Sequence, residues 1–264
     1  MHGYALDNAA GETVERFNAL ESCYDTATRD SLRRTGLAGG WNCLEIGAGG
    51  GSIALWLSDM TGPDGRVTVT DIAPGQLAPG LLACPNVQVL RHDVVNDALP
   101  EAEFDLIHAR LVLLHLPERR AVLQRLVRSL RPGGWLVLDE FDCSWTPVLM
   151  TPYEGAEVTF ERVHAGFLES LTESGADVTW GRKLFGEFVR AGLSEVSSTT
   201  FAMAWPGGSA GASLHHANTT QLADRIQGHG VPAEDLHLLW SLLEDPRFAV
   251  QSYPMVSACG RRER

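Results

Sequence analysis

The chain has 264 residues and 44% hydrophobic content, enough for one full α/β domain with a helical insertion. Thirty-three acidic residues against 21 basic ones leave a formal charge of −12, which argues against a nucleic-acid backbone or an anionic membrane as the main partner. No apolar run approaches the ~20 residues that span a bilayer, while a small cation in a local acidic pocket stays open.

The N-terminal "MHGYALDNAAGETVERF" lacks the basic, then apolar, then small-residue order of a secretory signal. Cys23, Cys43, Cys84, Cys143 and Cys259 are scattered, with no C-x-x-C pair, and read as buried free thiols. Both features predict a cytoplasmic protein. Residues 1–39 are expected to form a helical cap, with a helix from Glu12 that carries Val14 and Phe17 on one face.

Residues 40–142 alternate short apolar runs with helical stretches. "WNCLEIG" reads as a strand and "SIALWLSDM" as a helix; the turn "GPDG" opens a second strand, "GRVTVTD". A short helix is expected over residues 76–83, followed by a strand in "NVQVLRHD" and another in "FDLIHAR". "PERRAVLQRLVRSL" keeps helical spacing at Val122, Leu126 and Leu130, with Pro117 in its first turn; "RPGG" stops it before a fifth strand, "WLVLDEF". Strict alternation of this kind predicts a doubly wound, Rossmann-like parallel sheet with helices on both faces.

Residues 143–264 read as the remainder of the same domain, carrying helical insertions. Helices are expected over residues 156–174, in "GRKLFGEFVRAG", over 214–227 after the loop "PGGSAGAS", and in "AEDLHLLWSLLED". "LSEVSSTTFAMAW" and "RFAVQSYPMVSACG" read as strands.

The stretch "CLEIGAGGGS" is the first chemical signal. In a doubly wound sheet the loop after the first strand faces a ligand, and Gly47, Gly49 and Gly51 let the backbone approach it. The spacing is G-x-G-x-G rather than the dinucleotide G-x-G-x-x-G, and Glu45 beside the turn would repel a pyrophosphate. The same carboxylate would welcome an ammonium or sulfonium group. Asp71 ends the second strand, where an acid accepts hydrogen bonds from ribose hydroxyls, and Asp93 ends the third, placed for an adenine amine. A ligand with a cationic tail, a ribose and a base, and no phosphate, fits S-adenosylmethionine.

"LEIGAGGGS", "VTVTD", "RHDVV", "FDLIHARLVLLHLPERR" and "LRPGGWLVLDEF" together resemble the class I S-adenosylmethionine-dependent methyltransferases, in particular the small-molecule enzymes of bacterial secondary metabolism. The resemblance implies a seven-stranded sheet whose last strand, here residues 248–258, runs antiparallel. It implies that Glu45, Gly47, Ala48, Gly49 and Gly51 hold the methionine end of the cofactor, Asp71 and Ile72 the ribose, and Asp93 and Val94 the adenine. Arg110 falls where that family lines the methionine carboxylate or the acceptor pocket.

Methyl transfer from a sulfonium asks mainly for positioning and dehydration. His115, just before Pro117, is the candidate base, at a position resembling that of many O-methyltransferase bases; Leu116 replaces the aromatic residue usual there. His108 lies within a strand and reads as structural, while His215 and His216 are either an exposed loop pair or groups brought over the pocket. Asp139, Glu140 and Asp142 could offer oxygen ligands to Mg²⁺, but His108 and Arg110 stand where metal-dependent relatives place another acid, so no metal is expected. Tyr4, Trp145, Tyr153 and Trp205 are candidate walls of an acceptor pocket built from the N-terminal segment, the 156–174 helix and residues 205–230.

The function expected is therefore methylation of a small, aromatic or largely apolar metabolite, at oxygen in preference to nitrogen or carbon. The partner is that small-molecule acceptor, with neither nucleic acid nor membrane; a homodimer is the one assembly considered. The alternatives are a non-methylating cyclase or binding protein of the same fold, and an NAD(P)-dependent oxidoreductase. The latter is opposed by Glu45, by the glycine spacing and by the absence of any Tyr-x-x-x-Lys pair.

Overall fold

The computed structural model of the protein describes Leu6 and residues 13–263. Tyr4, and with it most of "YALDN", lies outside the described residues.

Helix α1 (Thr13–Arg33) precedes strand β1 (Asn42–Ile46), helix α2 (Ser52–Thr61) and strand β2 (Arg66–Asp71). A 3₁₀ turn at Pro74–Gln76 and the single-turn helix α3 (Pro79–Leu82) stand where one helix over 76–83 is predicted. The prolines and glycines of "APGQLAPGLLACP" break it, since Pro cannot donate within a helix and Gly weakens it. Strands β3 (Val87–Arg91) and β4 (Phe104–Arg110), helix α4 (Arg119–Ser129) and the long strand β5 (Leu130–Phe141) complete the predicted alternation.

The second half holds β6 (Val148–Met150), α5 (Ala156–Glu173), α6 (Trp180–Arg190), β7 (Leu193–Phe201), β8 (Ala204–Pro206), α7 (Ala210–Gln221), α8 (Ala223–Gly228), α9 (Ala233–Glu244), β9 (Ala249–Gln251) and β10 (Met255–Arg262). The main sheet has seven strands in the order β3-β2-β1-β4-β5-β10-β7. β1 to β5 are parallel, and β10 runs antiparallel between β5 and β7. The antiparallel strand is shifted from the predicted 248–258, because the stretch is cut around Pro254 into β9 and β10. β9 pairs with β6 and β8 in a second, three-stranded sheet that the sequence pattern does not announce.

Side-chain alternation sorts the core into two layers. Leu44, Ile46, Ile107, Ala109, Leu136 and Leu138 join the apolar cluster that includes α5, α6, α7 and α9. Cys43, Val67, Val69, Leu106 and Val137 join Ile53 and Leu57 of α2 on the other face. The strand order reverses between β1 and β4, which places the crevice of a doubly wound sheet at the carboxyl ends of these two strands. Cys43, Cys143 and Cys259 are buried free thiols; Cys23 and Cys84 are free but only half-buried. Among the described residues no helix is long and apolar enough to cross a membrane.

Candidate functional site

A cavity of about 610 Å³ opens at this reversal point. Glu45, Gly47, Ala48, Gly49, Asp71, Ile72, Asp93, Val94, Arg110 and His115 all line it, so the structure brings together every predicted site residue except one. The exception is Gly51. It takes the left-handed N-cap position of α2 with φ 93°, and a Cβ there would press on Leu81 and Leu77 at 2.9 and 3.2 Å. Gly51 therefore permits packing of α2 against α3, and Gly50 is the third glycine of the wall. Gly47 has φ 65°, and a Cβ there would collide with Val112 Cγ2, so the turn needs glycine for both reasons.

The acids at the strand ends are held by their own backbone. Asp71 accepts the Ala73 N–H at 2.8 Å and the Gly49 N–H at 3.3 Å, which ties the end of β2 to the glycine turn. Asp93 accepts the Val95 N–H at 2.9 Å and the Asn96 side-chain amide at 2.7 Å. The Asn96 bond, reinforced by these backbone N–H groups, holds its carboxyl below the usual range and so ionised. Arg110 is turned towards α1: its Nη1 donates to Asp25 at 2.9 Å and reaches Thr28 Oγ1 at 3.4 Å.

Below the turn lies a buried charged row. Glu45 is 3% exposed and His108 and Asp139 are fully buried. His108 Nδ1–H donates to Glu45 Oε2 at 2.7 Å, and His108 Nε2 faces Asp139 Oδ2 at 3.5 Å, an ion-pair distance longer than a good hydrogen bond. Thr28 donates to the same Asp139 oxygen at 2.5 Å. Burial opposes the charging of His108, yet the two carboxylates outweigh it and lift its pKa to about 9. Burial likewise opposes ionisation of Asp139, and bonds from His108, Ser257 and Thr28 reverse the outcome and hold it low.

Glu140 points to the opposite sheet face, as strand alternation requires. It accepts the Leu113 and Leu114 N–H groups at 2.8 and 3.2 Å and so anchors the 3₁₀ turn Leu113–His115. Burial pushes its pKa up to about 8. Asp142 is taken by Arg182 at 2.5 Å. Among the described residues no group of His, Cys, Asp or Glu has the arrangement of a metal site.

The far end of the cavity is largely apolar: Leu20, Phe141, Phe167, Leu171, Leu214 and Tyr253 line it, with Arg16, His115 and Asn218 as its polar groups. Burial, then the charges of Arg16 and Arg119, push the His115 pKa down to about 3, so its imidazole is neutral. The Asn218 carbonyl oxygen is buried with no hydrogen-bond partner. Trp145 and Tyr153 are not walls; they are about half exposed, and Trp205 is buried away from the cavity. The aromatic wall is Phe17, Phe141, Phe167 and Tyr253 instead. His215 is neither exposed nor over the pocket: on α7 it is buried against Tyr253, with its Nδ1 3.1 Å from the Tyr253 hydroxyl. His216 is half-buried beside the Trp240 ring.

Helix α1 is the part of the site that sequence reasoning undervalued. Val14 is solvent-exposed, whereas Phe17 lies over Gly49 and Glu21 over Gly50; Asp25 accepts from Ser52 at 3.1 Å. The signal was present: Phe17, Glu21, Asp25 and Thr28 recur at helical spacing and form one mixed stripe.

Residues 44–138 match the family described as a methyltransferase domain. The curated protein "Methyltransferase str2" of Strobilurus tenacellus is 33% identical over 144 residues, covering 53% of this chain and 49% of that protein. The "Ubiquinone/menaquinone biosynthesis C-methyltransferase UbiE" of Laribacter hongkongensis is 27% identical over 158 residues, covering 54% of this chain and 65% of that protein. Among solved structures, the phosphoethanolamine N-methyltransferase 2 of Haemonchus contortus, in complex with S-adenosylhomocysteine, superposes with a TM-score of 0.59 at 14% identity. That match covers 97% of this chain and 59% of the other, and it is a likeness of fold. The chain spans about half the length of the str2 protein that it matches.

Proposed function

We propose that this protein, whose residues 44–138 match a methyltransferase domain, is a class I enzyme that uses S-adenosylmethionine to methylate a small, largely apolar acceptor. One observation carries the reading: three carboxylates, Glu45, Asp71 and Asp93, border one cavity around a glycine turn. Glu45 would receive the cofactor's ammonium, Asp71 the ribose hydroxyls, and Asp93 with Val94 the adenine. The bound cofactor supplies a methyl group already activated on a sulfonium.

The chain's own contribution is placement and exclusion of water. Phe141, Phe167 and Tyr253 line the proposed acceptor end, and Glu140 fixes the turn that presents His115. His115 is the side chain proposed to meet the acceptor atom, as a neutral hydrogen-bonding group rather than a store for a proton. An imidazole held well below its usual range by burial and by the Arg16 and Arg119 charges is a poor acceptor for a phenol's proton. An acceptor oxygen that arrives already ionised, such as a carboxylate or an acidic phenol on an aromatic body, suits this site best. The positive charge of Arg16 in the same wall favours it. Methylation at an electron-rich carbon is a second reading, favoured by the match to UbiE, which is named a C-methyltransferase.

Calorimetry with S-adenosylmethionine and with NADH tests the cofactor; binding of NADH alone would sink the reading. Incubation with S-adenosylmethionine and a panel of aromatic acids and phenols, read by mass spectrometry for the gain of one methylene, separates methyl transfer from a cyclase or binding role.

A further inference from the structure

We propose that His108 is a positioning residue for the cofactor: clamped between Glu45 and Asp139, it fixes the Glu45 carboxylate in the orientation that receives the cofactor's ammonium group. This rests on the cofactor reading above and extends it to a residue that stands behind the cavity wall and does not itself line the cavity.

His108 occupies a position where the alternation of β4 calls for an apolar side chain, since it shares a face with Leu106. Its register partner on β1 is Glu45 itself, and Asp139 comes from the adjacent strand β5. Two carboxylates this deeply buried cannot both stay ionised unless a cation stands between them. A leucine at position 108 would leave them facing each other, and one would take up a proton. A protonated Glu45 is a poor receiver for an ammonium group. With the imidazole between them, one Glu45 oxygen is fixed at 2.7 Å, and the other is the one proposed to meet the ligand.

The surrounding groups support that charge state. Thr28 of α1 and Ser257 of β10 both donate to Asp139. The cation on the same strand, Arg110, is already engaged with Asp25. Cys43 and Cys259, which sit near Glu45 and Asp139, have thiol pKa values raised by burial and contribute no negative charge.

The experiment is a double-mutant cycle on binding of S-adenosylhomocysteine by calorimetry, using wild type, His108→Gln, Glu45→Gln and the double variant. His108→Gln is expected to weaken binding roughly 10- to 100-fold in the wild-type background and to have no further effect beside Glu45→Gln. Equal weakening in both backgrounds, or none in either, would overturn the proposal, because a merely structural histidine acts independently of Glu45. Should His108→Gln fail to fold, nitrogen-15 NMR of the wild-type imidazole decides: an imidazolium at neutral pH is expected, and a neutral ring overturns it. Wild-type protein that binds neither adenosyl compound would defeat the cofactor reading itself, a result distinct from a His108 variant that binds as well as wild type.

Discussion

His215→Gln is expected to change how stability depends on pH. In the folded protein His215 is buried beside Tyr253, Trp205 and Phe160, and burial, followed by repulsion from His164, pushes its pKa down to about 3. The unfolded chain binds a proton near pH ~6.5. The folded pKa is the depressed one, so stability is present above about 6.5 and is lost as the pH falls towards about 3. Between pH ~7.5 and ~5.5 the unfolded state gains roughly one proton at this site and the folded state almost none, a loss of about 1.4 kcal/mol. Urea unfolding at those two pH values gives the loss for wild type and for the variant. Glutamine keeps a hydrogen-bond partner for the Tyr253 hydroxyl and does not titrate. Any fixed packing penalty appears at both pH values and cancels in the difference. The wild-type loss should exceed the variant's by about 1.4 kcal/mol. Identical losses would refute the reasoning, and would mean that His215 takes up its proton inside the folded protein.

Asp71→Ala removes an acceptor that the proposed ribose would use, so S-adenosylhomocysteine affinity should fall roughly 100-fold by calorimetry while circular dichroism stays native; an unchanged affinity takes Asp71 out of the site. His115→Ala should lower turnover roughly tenfold or more with little change in cofactor affinity. Near-normal turnover would return His115 to a packing role. Gly47→Ala combines a left-handed backbone with a collision against Val112, and should cost about 2–4 kcal/mol in urea unfolding. A neutral effect would mean that the turn does not hold the φ of 65°.

The cofactor side was legible because its residues lie close in sequence to strand ends, and strand ends declare themselves. The strands β1, β2 and β4 are near-continuously buried, as strands covered on both faces must be. Glu45 near the end of β1, Asp71 at the end of β2 and Asp93 just after β3 are then placed by topology alone. The acceptor side has no such local rule. Trp145 and Trp205 are alike in sequence, yet one is exposed and the other buried, because burial is decided by the small sheet of β6, β8 and β9. That sheet pairs short segments far apart in the chain, and no periodicity of three residues announces a strand. His108 escaped for a related reason: a histidine in a strand says nothing of its partners until the register sets Glu45 beside it and the neighbouring strand supplies Asp139.

The same register explains why so acidic a crevice is stable without a ligand yet suited to a cationic one. Asp25, Glu45 and Asp139 supply three negative charges to one connected row, and His108, Arg110 and Arg29 supply three positive ones. Thr28 bridges the halves by contacting both Asp139 and Arg110. The row is thus paired within itself, and of its carboxylates it is Glu45 that lines the cavity. A buried floor of this kind needs its charges paired. One with no internal cations would have to bind protons in order to fold. Pairing these charges internally lets the protein fold, and the strand positions that make the sheet also set Glu45, the carboxylate proposed to receive the cofactor's ammonium group, at the cavity wall.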